Sequence, residues 1–393
     1  MKKWINVILI ATDWEFYHTK DYILSKGEVF KNWSDILVVQ LPVSFLVHFF
    51  TNFKRKILGF LNGNYKPFKI HENITVFTPK ILFHYLLWNK WRFTFLIDNI
   101  FFRYQLNSFI KKYYVGKRII QWIFHPVFYI LQEKLKYDVL IYDYQDNYNY
   151  DCDGKFLPEI AEINHKLESK SDIVFCTAKA MYNDAIQFNS RTYYLRNANN
   201  FELIYNYGNT AKNSLKQLDK RIIGYAGGIR DWLDFELIEY LLKNFADCYF
   251  VFIGLVYKTA IEQMKTLKKY PNFIYIEYMP LTELVGHMKQ FDIGIIPFRI
   301  NKFSEGIFPN KFFEYVAAEI PIVTTALIEL EEFKDYIGYA RTKEEFANSC
   351  RKILNGVFKD RIKHYRSIAE QNSWHDKAIK VNDIITGFIK ENL

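Results

Sequence analysis

Short apolar runs alternate with longer stretches of helical periodicity along the whole chain. In the first half the runs fall at 4–11 (WINVILIA), 35–41 (DILVVQL), 73–77 (NITVF), 118–124 (RIIQWIF), 137–142 (YDVLIY), 172–176 (DIVFC) and 192–195 (TYYL). In the second half they fall at 221–226 (RIIGYA), 248–253 (CYFVFI), 273–277 (FIYIE), 291–297 (FDIGIIP), 320–325 (IPIVTT) and 337–340 (IGYA). Helices are predicted there over 234–246, 258–269, 282–289, 310–318, 342–356 and 359–371. Strands that are apolar on both faces and separated by helices belong to parallel, doubly wound sheets. Two such sets predict an α/β protein of two Rossmann-like domains, 1–204 and 221–372. The polar stretch 205–220 (YNYGNTAKNSLKQLDK) reads as their linker.

Ligands of such sheets sit beyond the carboxyl ends of the strands, so the loops there carry the candidate chemistry. After 221–226 come Gly227, Gly228, Ile229, Arg230, Asp231, Trp232, Leu233 and Asp234. Two glycines let the backbone approach a ligand closely. The helix behind them, capped by Asp234, can offer free N–H groups to a phosphate. An ordinary tight turn would use the same residues. Gly254 follows 248–253, and Glu277, Tyr278, Met279 and Pro280 follow the next strand.

The loop Phe298–Phe308 leads into Pro309, Asn310, Lys311, Phe312, Phe313, Glu314 and Tyr315. Pro309 suits a helix start. Lys311 falls in the first turn, where the helix dipole disfavours a cation. A residue that breaks a local rule often marks a functional site. Glu314 lies about one turn further along the same face. A cation for a diphosphate beside a carboxylate for ribose hydroxyls suits a sugar nucleotide; a solvated Lys–Glu pair is the plain alternative.

These pieces, in this order, resemble a known family. The segments Gly224–Gly227, Phe252–Gly254, Pro271–Asn272, Asp292–Phe298, Pro309–Tyr315 and Pro321–Thr325 look like the donor half of family 4 glycosyltransferases of the GT-B type. Bacterial polysaccharide enzymes of the teichuronic-acid and xanthan-assembly kind are the most similar. The resemblance implies two domains facing a central cleft, with the last helix, 373–393, packing back on the first. It implies that Lys311 binds the diphosphate and Glu314 the ribose, that Gly227 and Gly228 approach phosphate or sugar, and that Tyr278 and Met279 hold the base. Arg230, Pro309 and Asn310 join this donor-binding group. Many members carry a second glutamate eight residues before the first. That position is Gly306 here, and the neighbouring Glu305 is the candidate substitute.

The implied activity is transfer of a sugar from a nucleoside-diphosphate sugar, UDP- or GDP-linked, to a lipid-linked or polysaccharide acceptor in bacterial cell-surface glycan synthesis. No separate cofactor or metal is expected, because Lys311 and helix N-termini can stabilise the leaving diphosphate. A nucleotide-sugar epimerase and a non-catalytic binding subunit of an assembly complex are the alternatives.

In the first half, Asp143 to Tyr148 follow the strand at 137–142. An acid just past a strand end can take the proton of an acceptor hydroxyl. Related polysaccharide enzymes resemble this stretch, with an aspartate at Asp146, so Asp146 is the candidate base; an Asx turn is the structural alternative. Asp143 is the second choice. His125, Asp13 and His18 are weaker acceptor-side candidates. Segments 42–60 (with Lys54, Arg55 and Lys56) and 81–103 (with Lys90 and Arg92) mix aromatics with cations, as peripheral membrane surfaces do.

The net charge of +9 favours anionic partners such as a nucleotide or an acidic membrane face. With no basic tail or zinc-finger spacing, nucleic acid is not expected. Cys152, Cys176, Cys248 and Cys350 lack metal or redox spacing and read as buried, reduced thiols of a cytoplasmic protein. The opening MKKWINVILIA imitates a leader, but TDWEFYH follows it where a small-residue cleavage site would stand, so a first β-strand is expected. No apolar run is long enough to span a membrane. Together these place the chain in the cytoplasm, at the inner face of the cell membrane.

Overall fold

The computed structural model describes residues 3–10, 14, 20–46, 66–83, 92–126, 129, 135–207 and 214–393. Asp13, His18, Lys54, Arg55, Lys56, Lys90, the side chain of Arg92 and residues 208–213 of the polar stretch lie outside the described residues.

The first half supplies strands β1 (Trp4–Leu9), β2 (Ser34–Val39), β3 (Val43–Ser44), β4 (Phe68–His71), β5 (Ile74–Phe77), β6 (Lys80–Ile81), β7 (Arg118–Ile123), β8 (Val139–Tyr144), β9 (Ile173–Cys176) and β10 (Thr192–Tyr194). Eight of them form one sheet, ordered β10-β9-β8-β7-β1-β2-β5-β4, while β3 and β6 pair separately. Every neighbour in the large sheet is parallel except the β4–β5 hairpin. The second half supplies β11 (Arg221–Ala226), β12 (Cys248–Ile253), β13 (Phe273–Ile276), β14 (Ile293–Ile296), β15 (Ile322–Thr325) and β16 (Gly338–Ala340). They form an all-parallel sheet ordered β13-β12-β11-β14-β15-β16.

Both sheets reverse their strand order beside the first strand, at β1/β7 and at β11/β14. Such a reversal opens a crevice at the carboxyl ends of the strands. The burial patterns explain the sheets: all six residues of β1 and all four of β14 and β15 are buried, as strands covered on both faces require. The helix Phe235–Asn244 shows the matching one-sided pattern, burying Leu237, Ile238, Leu241 and Leu242. Asp234 caps it, accepting the Leu237 N–H at 2.9 Å. The β1 strand occupies the segment that imitates a leader.

Three features depart from the sequence reading. The strand predicted at 137–142 lies two residues later, as β8, so Asp143 is inside the sheet. Its carboxylate is fully buried, 3.5 Å from the Nζ of Lys26. It is therefore a core group and not a base open to an acceptor. The helix predicted over 359–371 is two, Lys359–Ile362 and Tyr365–Glu370. Cys176, Cys248 and Cys350 are buried, but Cys152 is only partly so, and its sulfur lies 3.6 Å from Nη2 of Arg230.

The last helix, Trp374–Asn392, packs on the first sheet beside the helix Lys20–Phe30. Trp374 stacks on Tyr22 at 5.3 Å, and Trp33 Nε1 donates to Asn382 Oδ1 at 2.9 Å. Lys26, with no exposed surface, lies over the Trp122 and Tyr22 rings at 3.6 and 3.8 Å. Lys377 of the last helix reaches the same Tyr22 ring at 4.7 Å. The chain thus crosses twice between the halves, and the crossings are tied together. The Asn199 N–H donates to Asn372 O at 3.1 Å, and the Trp374 N–H donates to Asn199 O at 2.9 Å. The buried Asn199 side chain donates to the carbonyls of Ala369 and Asn372 at 3.1 and 2.8 Å.

Candidate active site

The ends of β11, β12 and β13 form a staircase. The Gly227 N–H donates to Ile253 O at 2.8 Å, and the Gly254 N–H donates to Ile276 O at 3.1 Å. Gly254 has φ +149°, and a Cβ there would lie 2.0 Å from the Gly227 carbonyl oxygen. Only glycine lets the two loops meet. Gly227 has φ +156°, and its missing Cβ leaves the space filled by Lys311: a Cβ would lie 2.2 Å from the Lys311 Cε. Gly228 faces the Tyr257 ring, with 3.2 Å available.

The helix Asn310–Ala317 starts beside this staircase, with Pro309 as its N-cap. Lys311 and Glu314 pair at 3.2 Å, with their side chains 19% and 18% exposed. Tyr315 holds the helix to β11, because its hydroxyl accepts the Ala226 N–H at 2.9 Å. Tyr225 donates to Gly228 O at 2.9 Å and fixes the glycine turn from below. Asn310 Oδ1 is buried without a hydrogen-bond partner. Gly227, Lys311, Glu314 and Asn310 are thus brought together at the β11/β14 reversal. Tyr278, half exposed, and Met279, packed on the core, lie two strands away at the end of β13.

Arg230 leaves the glycine turn toward the other half. It pairs with Asp231 at 3.1 Å, lies 4.6 Å from the Trp232 ring, and approaches Cys152. Nearby, Arg299 pairs with Asp153 at 2.7 Å, and Asn301 Nδ2 donates to Cys152 O at 2.9 Å. Asn147 Nδ2 donates to Lys302 O at 3.2 Å. The Asp146 loop therefore lies against the loop that carries Glu305. Asp146 itself is partly buried, and its carbonyl accepts the Tyr148 N–H at 2.8 Å. Glu305 stands in the 3-10 turn Ser304–Gly306 and pairs with Lys302 at 3.0 Å. Gly306 is held by sterics: a Cβ there would lie 2.4 Å from the Asn147 Cβ.

Burial alone drives the His125 imidazole down to about 4, and its ring packs on Tyr148 at 4.3 Å, so it is neutral near pH 7. Two residues that sequence reasoning passed over belong to the cleft walls. Asp21, in the first turn of the helix Lys20–Phe30, has its carboxyl pKa raised by burial, against the lowering effect of an Asn200 hydrogen bond and the Lys20 charge; the Glu314 charge raises it further. Its signal was its place, an acid following the strand where the first sheet reverses. Glu329 is 1% exposed, and its carboxylate accepts the Lys179 N–H at 2.5 Å and the Tyr194 hydroxyl at 2.7 Å, bridging the halves. Nothing in sequence spacing marks it.

Residues 220–356 match the family model described as glycosyl transferases group 1. They contain the whole staircase and the Asn310–Ala317 helix. Residues 220–356 form a group 1 glycosyl transferase domain, and the chain has the GT-B fold. A Bacillus subtilis (strain 168) protein, provisionally named teichuronic acid biosynthesis glycosyltransferase TuaH, is 23% identical over 328 residues. That match covers 78% of this chain and 82% of the relative. Sucrose-phosphate synthase from Thermosynechococcus elongatus superposes with a TM-score of 0.75 at 11% identity, covering 100% of both chains. Anabaena HepE, in complex with UDP and glucose, gives 0.65 at 11% identity, covering 98% of this chain and 99% of that one. The structural neighbours share the two-sheet framework, so the cleft of this chain lies between the carboxyl ends of its two sheets.

Proposed function

We propose that the protein transfers a sugar from a nucleoside-diphosphate sugar to a lipid-linked or polysaccharide acceptor in bacterial cell-surface glycan synthesis. The observation that carries the donor half is the largely buried Lys311–Glu314 pair set directly against Gly227. In this reading Lys311 leaves Glu314 for the donor's diphosphate, and Glu314 turns to the ribose hydroxyls. Gly227, Gly228, Pro309 and Asn310 bring backbone and the Asn310 amide to phosphate and sugar. Arg230 adds positive charge, and Tyr278 and Met279 flank the base. The acceptor oxygen attacks the anomeric carbon as the bond to the diphosphate breaks. Asp146 takes the hydroxyl proton, and Glu305 stands in for the missing glutamate. Lys311 and the N-terminus of its helix supply the charge stabilisation the leaving diphosphate needs, and the reading assigns the step no metal or cofactor.

Support for an acceptor in a membrane comes from the helix Arg92–Tyr113. Its buried stripe is half polar: Thr94 and Asp98 are fully buried along with Phe102 and Leu106. Asp98 Oδ1 accepts the N–H groups of Leu82 and Phe83 at 2.8 and 3.0 Å. Phe93, Leu96, Ile100 and Tyr104 face outward, 54%, 55%, 65% and 72% exposed, and Lys111 and Lys112 follow in the last turn. An apolar stripe beside lysines suits an anionic lipid surface. Among the described residues no helix is long and apolar enough to cross a membrane. The reading places the protein in the cytoplasm against the inner membrane face.

A thermal-shift screen with UDP-, GDP- and dTDP-sugars tests the donor assignment. One class should raise the melting point, because a ligand of the folded state stabilises it. No shift with any of them, in a chain that remains folded, would remove the donor site.

A further inference from the structure

On the first half, away from the cleft, three metal-ligating side chains converge. His165 and Glu168 lie three residues apart on one face of the helix Pro158–Lys170. Asp184 comes from the helix Lys179–Ala185. One ligand atom from each lies within 4.8 Å of the others, and His165 Nε2 is 3.4 Å from Asp184 Oδ2. Two donors about 2.1 Å from a tetrahedral ion stand about 3.4 Å apart, so this edge is already at ligand spacing. Both helix segments lie toward the end of their helix that returns to the next strand, opposite the carboxyl strand ends that form the cleft.

A second observation at the same place fits a cation. Glu168 has no exposed surface, and its Oε2 is buried without a hydrogen-bond partner. Its other oxygen is held: Asn164 Nδ2 donates to Oε1 at 3.3 Å, and Tyr142 donates in turn to Asn164 Oδ1. The His165 ring stacks on Phe188 at 4.3 Å. Partners that fix ligands from behind are the usual outer layer of a metal site. The His165 and Asp184 side chains are 35% and 41% exposed, which leaves a way in and room for a water.

We propose that His165, Glu168 and Asp184 bind one divalent transition ion of the zinc class. One imidazole nitrogen with two carboxylates, and an open fourth position, favours Zn²⁺ or Co²⁺ over Mg²⁺ or Ca²⁺. The ion would neutralise the buried Glu168 and clamp together two helices of the first half. One of these, Lys179–Ala185, also gives the N–H of Lys179 to Glu329 of the second half.

The test uses the full-length chain, stripped with a chelator and titrated with Zn²⁺ or Co²⁺ alone. One equivalent should bind by calorimetry, Zn²⁺ should raise the melting temperature, and Co²⁺ should show the visible absorption of a four-coordinate ion. His165→Ala and Asp184→Asn, both partly exposed, should stay folded and lose all three signals. Glu168→Gln, which keeps the side-chain volume, should lose binding while retaining the fold. Absence of binding to the parent chain would overturn the site, as would undiminished binding to the variants. Equal binding of Mg²⁺ would overturn the ion class.

Discussion

Gly306 and Asn147 meet across the two halves so closely that a Cβ on the glycine would lie 2.4 Å from the Asn147 Cβ. The glutamate that the family resemblance leads one to expect at this position has no room in this arrangement. The glycine therefore has a steric reason. Gly306→Glu should lower unfolding stability by about 1–3 kcal/mol, as overpacking does. Trimming the opposing side in an Asn147→Gly background should recover most of that loss. Denaturant titration of the three variants checks both statements.

Lys311→Ala should leave the fold intact and reduce kcat/KM for donor by roughly 10²–10³-fold, the usual cost of removing one preorganised charge-stabilising donor. Near-parental turnover, with circular dichroism unchanged, would contradict the donor role. Glu314→Gln should act differently, mainly raising KM, since its proposed contact is to the ribose and not to the breaking bond.

Gly254→Ala places a methyl group 2.0 Å from the Gly227 carbonyl at φ +149°. Backbone on both sides leaves little freedom to yield. Stability should fall by at least about 1–3 kcal/mol, and donor-induced thermal shifts should shrink with it as Gly227 is displaced. A variant as stable as the parent would show that the staircase is softer than its geometry.

Burial depresses the ammonium pKa of Lys26 to about 7 and that of Lys377 to about 8, against an ordinary 10.5; Asp143 opposes the shift in both. Between about 7 and 10 the folded chain binds fewer protons at these sites than the unfolded chain does. Stability from this cluster should therefore rise with pH across that window and fall toward pH 7. Lys26→Met should flatten the rise. Melting temperatures of the two proteins from pH 6.5 to 10 measure the difference.

Ile100→Glu with Tyr104→Glu should cut co-sedimentation with anionic vesicles several-fold while melting temperature stays constant, because both side chains are mostly exposed. Equal retention of parent and variant on vesicles would remove the Arg92–Tyr113 face from the membrane reading.

Much of the second sheet was legible in the chain. Its strands are apolar runs bounded by helices, and β11, β12, β14 and β15 fall where those runs do. The meeting of Gly227, Lys311 and Glu314 was legible too, because Lys311 breaks the dipole rule and the glycines stand directly after strands. What was not legible depends on the two halves together. Gly254 looks like any turn glycine until the Gly227 carbonyl is seen against it. Glu329 becomes a bridge only when Lys179 and Tyr194 are folded beside it. Strand β4 (FKIH) was missed because it is mostly exposed and carries little apolar signal. Asp143 was misplaced by two residues at a strand end, which moved it from a cleft edge into the core.

The paired crossings at Asn199 and Asn372 also bear on movement. One crossing would let the halves swivel freely. Two crossings lying side by side and bonded to each other act as the two pins of a door. They leave one easy rotation, about the line joining them, and resist twist and slide. Contacts near that line, such as Asn199 to Ala369, can persist through the swing. A swing about that line would have to break the contacts that join the halves elsewhere, such as Arg299 to Asp153.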